Sequence, residues 1–94
     1  MQYFVYMLSS VNSNKKKTYV GYTKNVENRL KKHNSSKGAK STRGHKWKVI
    51  YLKKFLSKSQ ALRYEYKLKK NKKKRLLIFN KIKKNDKNSN NFTL

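Results

Sequence analysis

The sequence predicts a small α/β sandwich with a central three-stranded antiparallel sheet flanked by helices, in the order β-β-α-β-α-α. Three short segments rich in aromatic and β-branched residues indicate the strands, and charged segments with apolar residues at helical spacing indicate the helices. A chain of 94 residues has room for one hydrophobic core. We expect residues 1–84 to form a single domain and residues 85–94 a flexible C-terminal tail.

The first two strands are predicted to form a hairpin. Residues 3–8, YFVYML, are an apolar run typical of a short strand buried on both faces. Residues 9–17, SSVNSNKKK, are polar and favour a turn, and residues 18–23, TYVGYT, return as the second strand. Strand alternation places Tyr19 and Gly21 on one face, so the glycine is expected to leave space beside the tyrosine for a ligand to approach.

The first helix and the third strand are separated by a long polar segment. Asn25 is a plausible N-cap for a helix over residues 26–33, VENRLKKH. Residues 34–46, NSSKGAKSTRGHK, contain two glycines and several hydroxyl groups and predict a mobile basic loop. Residues 47–55, WKVIYLKKF, have the composition of a strand.

Two helical segments end the predicted domain. Ser57 and Gln60 have the spacing of a capping box, which starts a helix near residue 58. The residues on its inner face are Ala61, Leu62, Glu65 and Leu68. Residues 72–84 continue in helical character, and no glycine or proline marks the join. Residues 72–84 can therefore form a separate helix or extend the preceding one, and the sequence does not decide between the two.

Charge is the strongest compositional signal. The chain has 27 Lys and Arg residues against 3 Asp and Glu residues, a formal net charge of +24. Such a field attracts polyanions and predicts a nucleic-acid partner, DNA or RNA, although the AT-rich codons of lysine and asparagine offer a second explanation for the excess. The basic residues expected to contact nucleic acid are Lys15, Lys16, Lys17, Lys37, Lys40, Arg43 and Lys46.

Cysteine usage and the N-terminal segment restrict the class of protein further. The chain has no cysteine, which excludes disulfides and thiolate metal sites and fits a reducing compartment. The segment MQYFVYMLSS has no basic n-region and is too short to span a bilayer. We therefore expect no membrane partner and a cytoplasmic location, with possible association with the nucleoid.

Glu65 is the first candidate for a chemical role. It is one of three carboxylates in the chain and shares the inner stripe of its predicted helix, where burying an unpaired charge is costly. It can pair with a nearby cation, or it can be the single carboxylate ligand of a hard divalent ion such as Mg²⁺ or Mn²⁺.

Arg29, His33 and two tyrosines form the second group of candidates. Arg29 and His33 are four residues apart and therefore share one helix face. An arginine can clamp a phosphate and a histidine can relay a proton, although the same spacing also occurs on solvated helix faces. Tyr6 and Tyr19 stand on paired strands, which can hold both hydroxyl groups at one edge of the sheet.

These residues resemble the GIY-YIG nuclease domain. Phe4-Val5-Tyr6 and Tyr19-Val20-Gly21 are similar to its paired motifs, with Phe4 where the family name has glycine. Arg29, His33 and Glu65 fall where that family has its remaining active-site residues. The resemblance covers residues 2–70, and the loop sequence KGAKSTRGH is similar to short stand-alone bacterial members related to the structure-specific nuclease subunit of eukaryotes.

The resemblance implies a metal-dependent phosphodiesterase. Tyr19 would be the general base or would orient the attacking water, and Tyr6 would position it or contact the phosphate. Arg29 would stabilise the transition state and His33 would assist proton transfer. Glu65 would hold a single Mg²⁺ or Mn²⁺ near the leaving oxygen.

The sequence therefore predicts an endonuclease that cuts duplex or branched DNA in repair or recombination, with a protein partner as one possible source of specificity. Two alternatives remain. A non-catalytic nucleic-acid-binding module would keep the scaffold and the basic surface, and a basic structural protein, for example one associated with ribosomes, would explain the charge but not Glu65. The complete set of five candidate side chains favours the nuclease.

Overall fold

The computed structural model describes residues 2–11, 17–35, 42 and 44–88. The chain order is β-β-α-β-α-α, as the sequence predicts. The elements are β1 (Tyr3–Ser10), β2 (Thr18–Thr23), α1 (Val26–Asn34), β3 (Trp47–Phe55), α2 (Lys58–Lys70) and α3 (Lys72–Asn88). Within the described ranges, no helix combines the length and the apolar character that a membrane span requires.

The three strands form one antiparallel sheet in the order β2-β1-β3. The apolar strand β1 is central, and it pairs with β2 so that Tyr6 lies opposite Gly21. The pairing of β1 with β3 shifts register between Met7 and Leu8. Because β1 has a neighbour on each side and helices on both faces, its apolar run is buried as the sequence predicts.

The side chains of β1 alternate between two different cores. On one face, beneath α2 and α3, the buried core residues are all apolar: Val5, Met7, Val20, Ile50, Ala61 and Leu68. The other face, beneath α1, is closed by Tyr6, Leu8, Trp47 and Val49. Strand alternation therefore determines which side chains lie on the side of α1.

Hydrogen bonds from side chains fix where the helices begin. Asn25 Oδ1 accepts the Asn28 amide at 3.1 Å, and Ser57 Oγ accepts the Gln60 amide at 3.3 Å, so both predicted N-caps are present.

The join between the last two helices is now resolved. Asn71 interrupts the helical path, and its Oδ1 accepts the Lys74 amide at 3.0 Å. The Arg75 guanidinium donates to the Leu68 carbonyl at 2.8 Å and ties α3 back to α2. α3 is therefore a separate helix that continues to Asn88. The domain boundary at residue 84 stays a prediction.

Candidate active site

The hydroxyl of Tyr6 is the centre of a polar cluster on the α1 face of the sheet. Tyr6 is only 1% exposed, and its hydroxyl lies 2.9 Å from His33 Nε2. Arg29 Nε donates to the same hydroxyl at 3.4 Å. Three of the predicted site residues, from β1 and α1, therefore meet at one oxygen atom.

The short connection between β2 and α1 brings these residues together. Thr23 ends β2, and its hydroxyl accepts the Asn25 amide at 3.1 Å while Asn25 caps α1. The helix therefore starts two residues after the strand and crosses the face of the sheet that carries Tyr6. Arg29 and His33 share the inner face of that helix because they are four residues apart.

Gly21 provides the space that the Tyr6 ring occupies. A Cβ atom at Gly21 would collide with the Tyr6 hydroxyl and would lie 2.5 Å from Tyr6 Cζ and 3.0 Å from Tyr19 Cε2. The expectation that Gly21 leaves an open approach to Tyr19 is therefore wrong. Because Tyr6 is paired directly opposite Gly21, its own phenol fills that space.

Tyr19 completes the cluster from β2. Its ring centroid lies 4.8 Å from that of His33 and 6.3 Å from that of Tyr6. The Tyr19 side chain also contributes to the raised pKa of Arg29. Tyr19 is half-buried, whereas Tyr6 and His33 are fully enclosed. Of the two phenols, Tyr19 is therefore the one that is partly exposed to solvent.

Burial sets the protonation states of the cluster. It raises the pKa of Tyr6 to about 12, although the hydrogen bond from Arg29 opposes the shift. Burial, helped by the positive charge of Arg29, lowers the pKa of His33. The hydrogen bond to Tyr6 raises the pKa of Arg29. At neutral pH the cluster therefore contains a protonated phenol, a neutral imidazole and a guanidinium cation.

Thr42 is a site residue that the sequence analysis missed. It is fully buried, and its hydroxyl lies 2.9 Å from His33 Nδ1, so both ring nitrogens of His33 have partners inside the protein. Trp47 Nε1 donates to the Thr42 carbonyl at 2.9 Å, and the Asn34 side chain pairs with both backbone groups of Trp47. The polar composition of residues 34–46 gave no signal for these contacts, because they join positions distant in sequence.

Glu65 comes from a different helix from Arg29 and His33. It lies on α2, across the sheet from α1, and its side chain is 19% exposed and paired with Lys69 at 3.5 Å. Its negative charge nevertheless contributes to the raised pKa of Tyr6, so it acts on the cluster electrostatically.

The side chains that the structure describes can give a metal ion few protein ligands. In the ranges that the structure describes, no three His, Cys, Asp or Glu side chains converge as a metal cluster. Glu65 can therefore supply one carboxylate to a hard divalent ion that takes the rest of its shell from water and phosphate oxygens. This is the coordination that Mg²⁺ commonly adopts.

Two of the predicted nucleic-acid contacts lie at the same end of the sheet. Lys17 and Lys46 are both exposed. The Ser10 amide donates to the Lys17 carbonyl and the Val11 amide donates to the Lys46 carbonyl, each at 2.9 Å. The end of β1 therefore holds both lysines near each other. The other predicted contacts, Lys15, Lys16, Lys37, Lys40 and Arg43, lie outside the described residues.

A known domain family and several known proteins are similar to this chain. The family model of the GIY-YIG catalytic domain matches residues 2–89. A UPF0213 protein of Oceanobacillus iheyensis is 45% identical over 69 residues, which are 72% of this chain and 77% of the relative. A UPF0213 protein of Halalkalibacterium halodurans is 41% identical over 70 residues, 73% of this chain and 71% of the relative.

A solved structure is also similar to this chain. The solution NMR structure of a UPF0213 protein from Bacillus halodurans has a TM-score of 0.50 and 36% identity. The similarity covers 85% of this chain and 84% of that protein. The matched region therefore includes most of the fold that positions the polar cluster.

Proposed function

This chain belongs to the GIY-YIG catalytic domain family, and from that premise we propose that it is a divalent-metal-dependent DNA endonuclease that acts in repair or recombination. The family implies a nuclease-type function and a nucleic-acid substrate. The choice of DNA, the duplex or branched substrate, the cytoplasmic location and a partner that gives specificity are further parts of the proposal.

One observation carries the proposal. The Tyr6 hydroxyl is bonded to Arg29 and His33, and the Tyr19 ring packs against His33. A domain that only binds nucleic acid through lysines has no need to bury a histidine and a tyrosine together, because each buried polar group must be satisfied. The convergence of these groups beside a half-exposed phenol supports a catalytic role.

The geometry supports different roles for the two tyrosines. Tyr6 is enclosed and remains protonated at neutral pH, so we assign it to positioning Arg29 and His33 rather than to contact with the phosphate. Tyr19 is half-buried and is assigned to orienting or deprotonating the attacking water.

Arg29 and His33 support the chemistry in different ways. The Arg29 guanidinium is partly exposed and can stabilise the negative charge that develops on the phosphoryl oxygens. His33 has both nitrogens engaged and a lowered pKa, so its proposed role is to hold Tyr6 and the Tyr19 ring in place rather than to exchange protons with substrate.

Glu65 is the residue that would hold the metal ion. Mg²⁺ or Mn²⁺ would neutralise charge on the leaving oxygen when bound. Glu65 is partly exposed and pairs with a flexible lysine at 3.5 Å, so its carboxylate is available for exchange of partners. Its negative charge also helps keep Tyr6 protonated.

A non-catalytic binding module remains the second candidate because of the Glu65–Lys69 ion pair. In that case Glu65 would be neutralised permanently by its neighbour, and the polar cluster would serve only to specify the fold.

Cleavage assays with matched carboxylate variants separate the two candidates. Labelled single-stranded, duplex and branched DNA is incubated with the protein in Mg²⁺, Mn²⁺ or EDTA. We expect metal-dependent cutting that Glu65→Gln abolishes while DNA binding persists. Glu27→Gln, which removes the exposed carboxylate of α1, should cut like the parent. Binding without cutting on all three substrates would favour the binding module.

A further inference from the structure

A second polar cluster lies on the face of the sheet opposite to His33. Tyr51 from β3 and Tyr64 from α2 pack against the apolar core beneath α2 and α3, and their hydroxyl groups are 2.6 Å apart. Lys53 Nζ lies 4.9 Å from the centroid of the Tyr64 ring, and Lys74 Nζ lies 5.1 Å from the same centroid. β3, α2 and the first turn of α3 therefore bring two ammonium groups to one phenol.

This concentration of positive charge has no carboxylate partner among the described side chains. The acidic side chains that the structure describes are Glu27, on α1 across the sheet, and Glu65, which pairs with Lys69. Both ammonium groups lie about 5 Å from one centroid, so their separation is at most roughly one Debye length at 0.1 M salt. An anion that binds near both ammonium groups relieves their mutual repulsion.

The pKa values of Tyr51 and Tyr64 shift in opposite directions beside the two lysines. Burial and the hydrogen bond with Tyr64 raise the pKa of Tyr51, so of the two phenols Tyr51 holds its proton more strongly. Burial raises the pKa of Tyr64, but hydrogen bonding to Tyr51 and to Lys74, together with the charges of Lys74 and Lys53, outweighs burial and lowers the pKa overall. The position of the Tyr64 oxygen therefore favours negative charge, and its own proton can be donated to a third partner whenever Tyr51 donates the bond between the two hydroxyl groups.

We propose that Lys53, Lys74 and the Tyr64 hydroxyl form a phosphate-binding site, separate from the candidate active site, that takes a backbone phosphate of nucleic acid. Two ammonium groups and one hydroxyl supply charge-assisted and neutral donors to the oxygens of one phosphate. Lys53 and Lys74 already lie over the Tyr64 ring, where a nucleic-acid base would otherwise stack. The site therefore suits a phosphate rather than a base. A second contact on the far side of the sheet lets the domain hold a nucleic acid that passes around its edge or a second strand of a branched one.

The site is tested without cleavage, so its outcome does not depend on the proposed nuclease activity. In EDTA, the full chain labelled with ¹³C at tyrosine Cζ is titrated by NMR with inorganic phosphate and, separately, with a short single-stranded DNA oligonucleotide. Tyr64→Phe identifies the Tyr64 resonance. We expect a saturable shift of that resonance with both ligands.

A matched pair of variants shows whether the site is more than general basicity. Lys53→Gln/Lys74→Gln should abolish the Tyr64 shift and weaken oligonucleotide binding about tenfold. The slope of the logarithm of the binding constant against the logarithm of the salt concentration should fall by the contribution of about one phosphate contact. The control Lys24→Gln/Lys70→Gln removes two lysines that also lie over tyrosine rings, those of Tyr3 and Tyr66, and should keep the Tyr64 shift.

The possible results are distinguishable. A Tyr64 shift with inorganic phosphate but not with the oligonucleotide would support the anion site and overturn nucleic acid as its source. An unchanged Tyr64 resonance with both ligands, or equal losses in the two double variants, would overturn the site. Circular dichroism of each variant checks that its fold is intact.

Discussion

Replacing Gly21 by alanine tests the contact on which the candidate active site depends. The new methyl group would occupy the position of the Tyr6 hydroxyl and approach Tyr6 Cζ to 2.5 Å. Tyr6 has no free volume into which to move, since it is 1% exposed and its hydroxyl is bonded to His33 and Arg29. Either the β1–β2 pair separates or the Tyr6 ring leaves its partners.

Both responses are costly. Overpacking a close-packed interior costs about 1–3 kcal/mol, and a buried His33 nitrogen left without a partner costs about 1–3 kcal/mol. The two costs do not add fully, because a shift of the Tyr6 ring that breaks its hydrogen bond also relieves part of the overpacking. We therefore expect the free energy of unfolding to fall by about 3 kcal/mol. For a domain of this size the loss corresponds to a fall in Tm of roughly 12–24 °C.

Thermal unfolding and cleavage are measured together on Gly21→Ala, with Gly44→Ala as the control. Gly44 has φ of 83° and no atom within 4 Å of a built Cβ, so its substitution adds backbone strain of about 1–2 kcal/mol without a collision. We expect Gly21→Ala to lose both stability and turnover. A Tm within roughly 4 °C of the parent, with weaker substrate binding alone, would refute the packing of Tyr6 against Gly21 and restore the open approach to Tyr19.

Three further outcomes follow from the same cluster. Thr42→Val should lower the free energy of unfolding by about 1–3 kcal/mol in urea, because His33 Nδ1 loses its 2.9 Å partner, whereas Thr18→Val at an exposed strand position should change it little. Tyr19→Phe should reduce turnover about 10²-fold or more with a Tm close to the parent's, and normal turnover in that variant would exclude chemistry at its hydroxyl. Burial lowers the pKa of His33 in the folded state, so below pH ~6.5 the unfolded chain takes up a proton that the folded chain resists. The free energy of unfolding, measured in urea, should therefore be lower at pH 5.5 than at pH 7.5. A fall of the same size in His33→Gln would show that His33 is not its cause.

Local signals explain why the element order was predictable. The N-caps Asn25 and Ser57 act within one turn of the helix they start, and the apolar run of β1 specifies its two faces without reference to any other segment. Asn71 carries the same kind of local signal, since its side-chain oxygen accepts the Lys74 amide at the start of α3.

The contacts of the candidate site were less predictable because they depend on pairing between segments. The partner of Gly21 follows from the register of β1 with β2, and a shift of one residue would have placed a different side chain opposite the glycine. Thr42 contacts His33 on α1 through its hydroxyl and Trp47 on β3 through its carbonyl, so its place depends on two other elements. Glu65 was correctly placed on the helix that packs on the sheet, but helical spacing does not specify whether a carboxylate faces a metal site or a neighbouring lysine.

The two faces of the sheet differ in the polarity of the side chains that they bury. The buried residues of the core beneath α2 and α3 are apolar, and burying apolar surface is the main source of hydrophobic stabilisation for a short chain. The face beneath α1 instead encloses three polar side chains, Tyr6, His33 and Thr42, each of which must be satisfied by hydrogen bonds. A domain with so small a core gains little stability from such groups compared with apolar ones of equal size. Their burial beside the half-exposed Tyr19 and the Arg29 cation is therefore better explained by the need to hold those two groups in fixed positions than by folding alone.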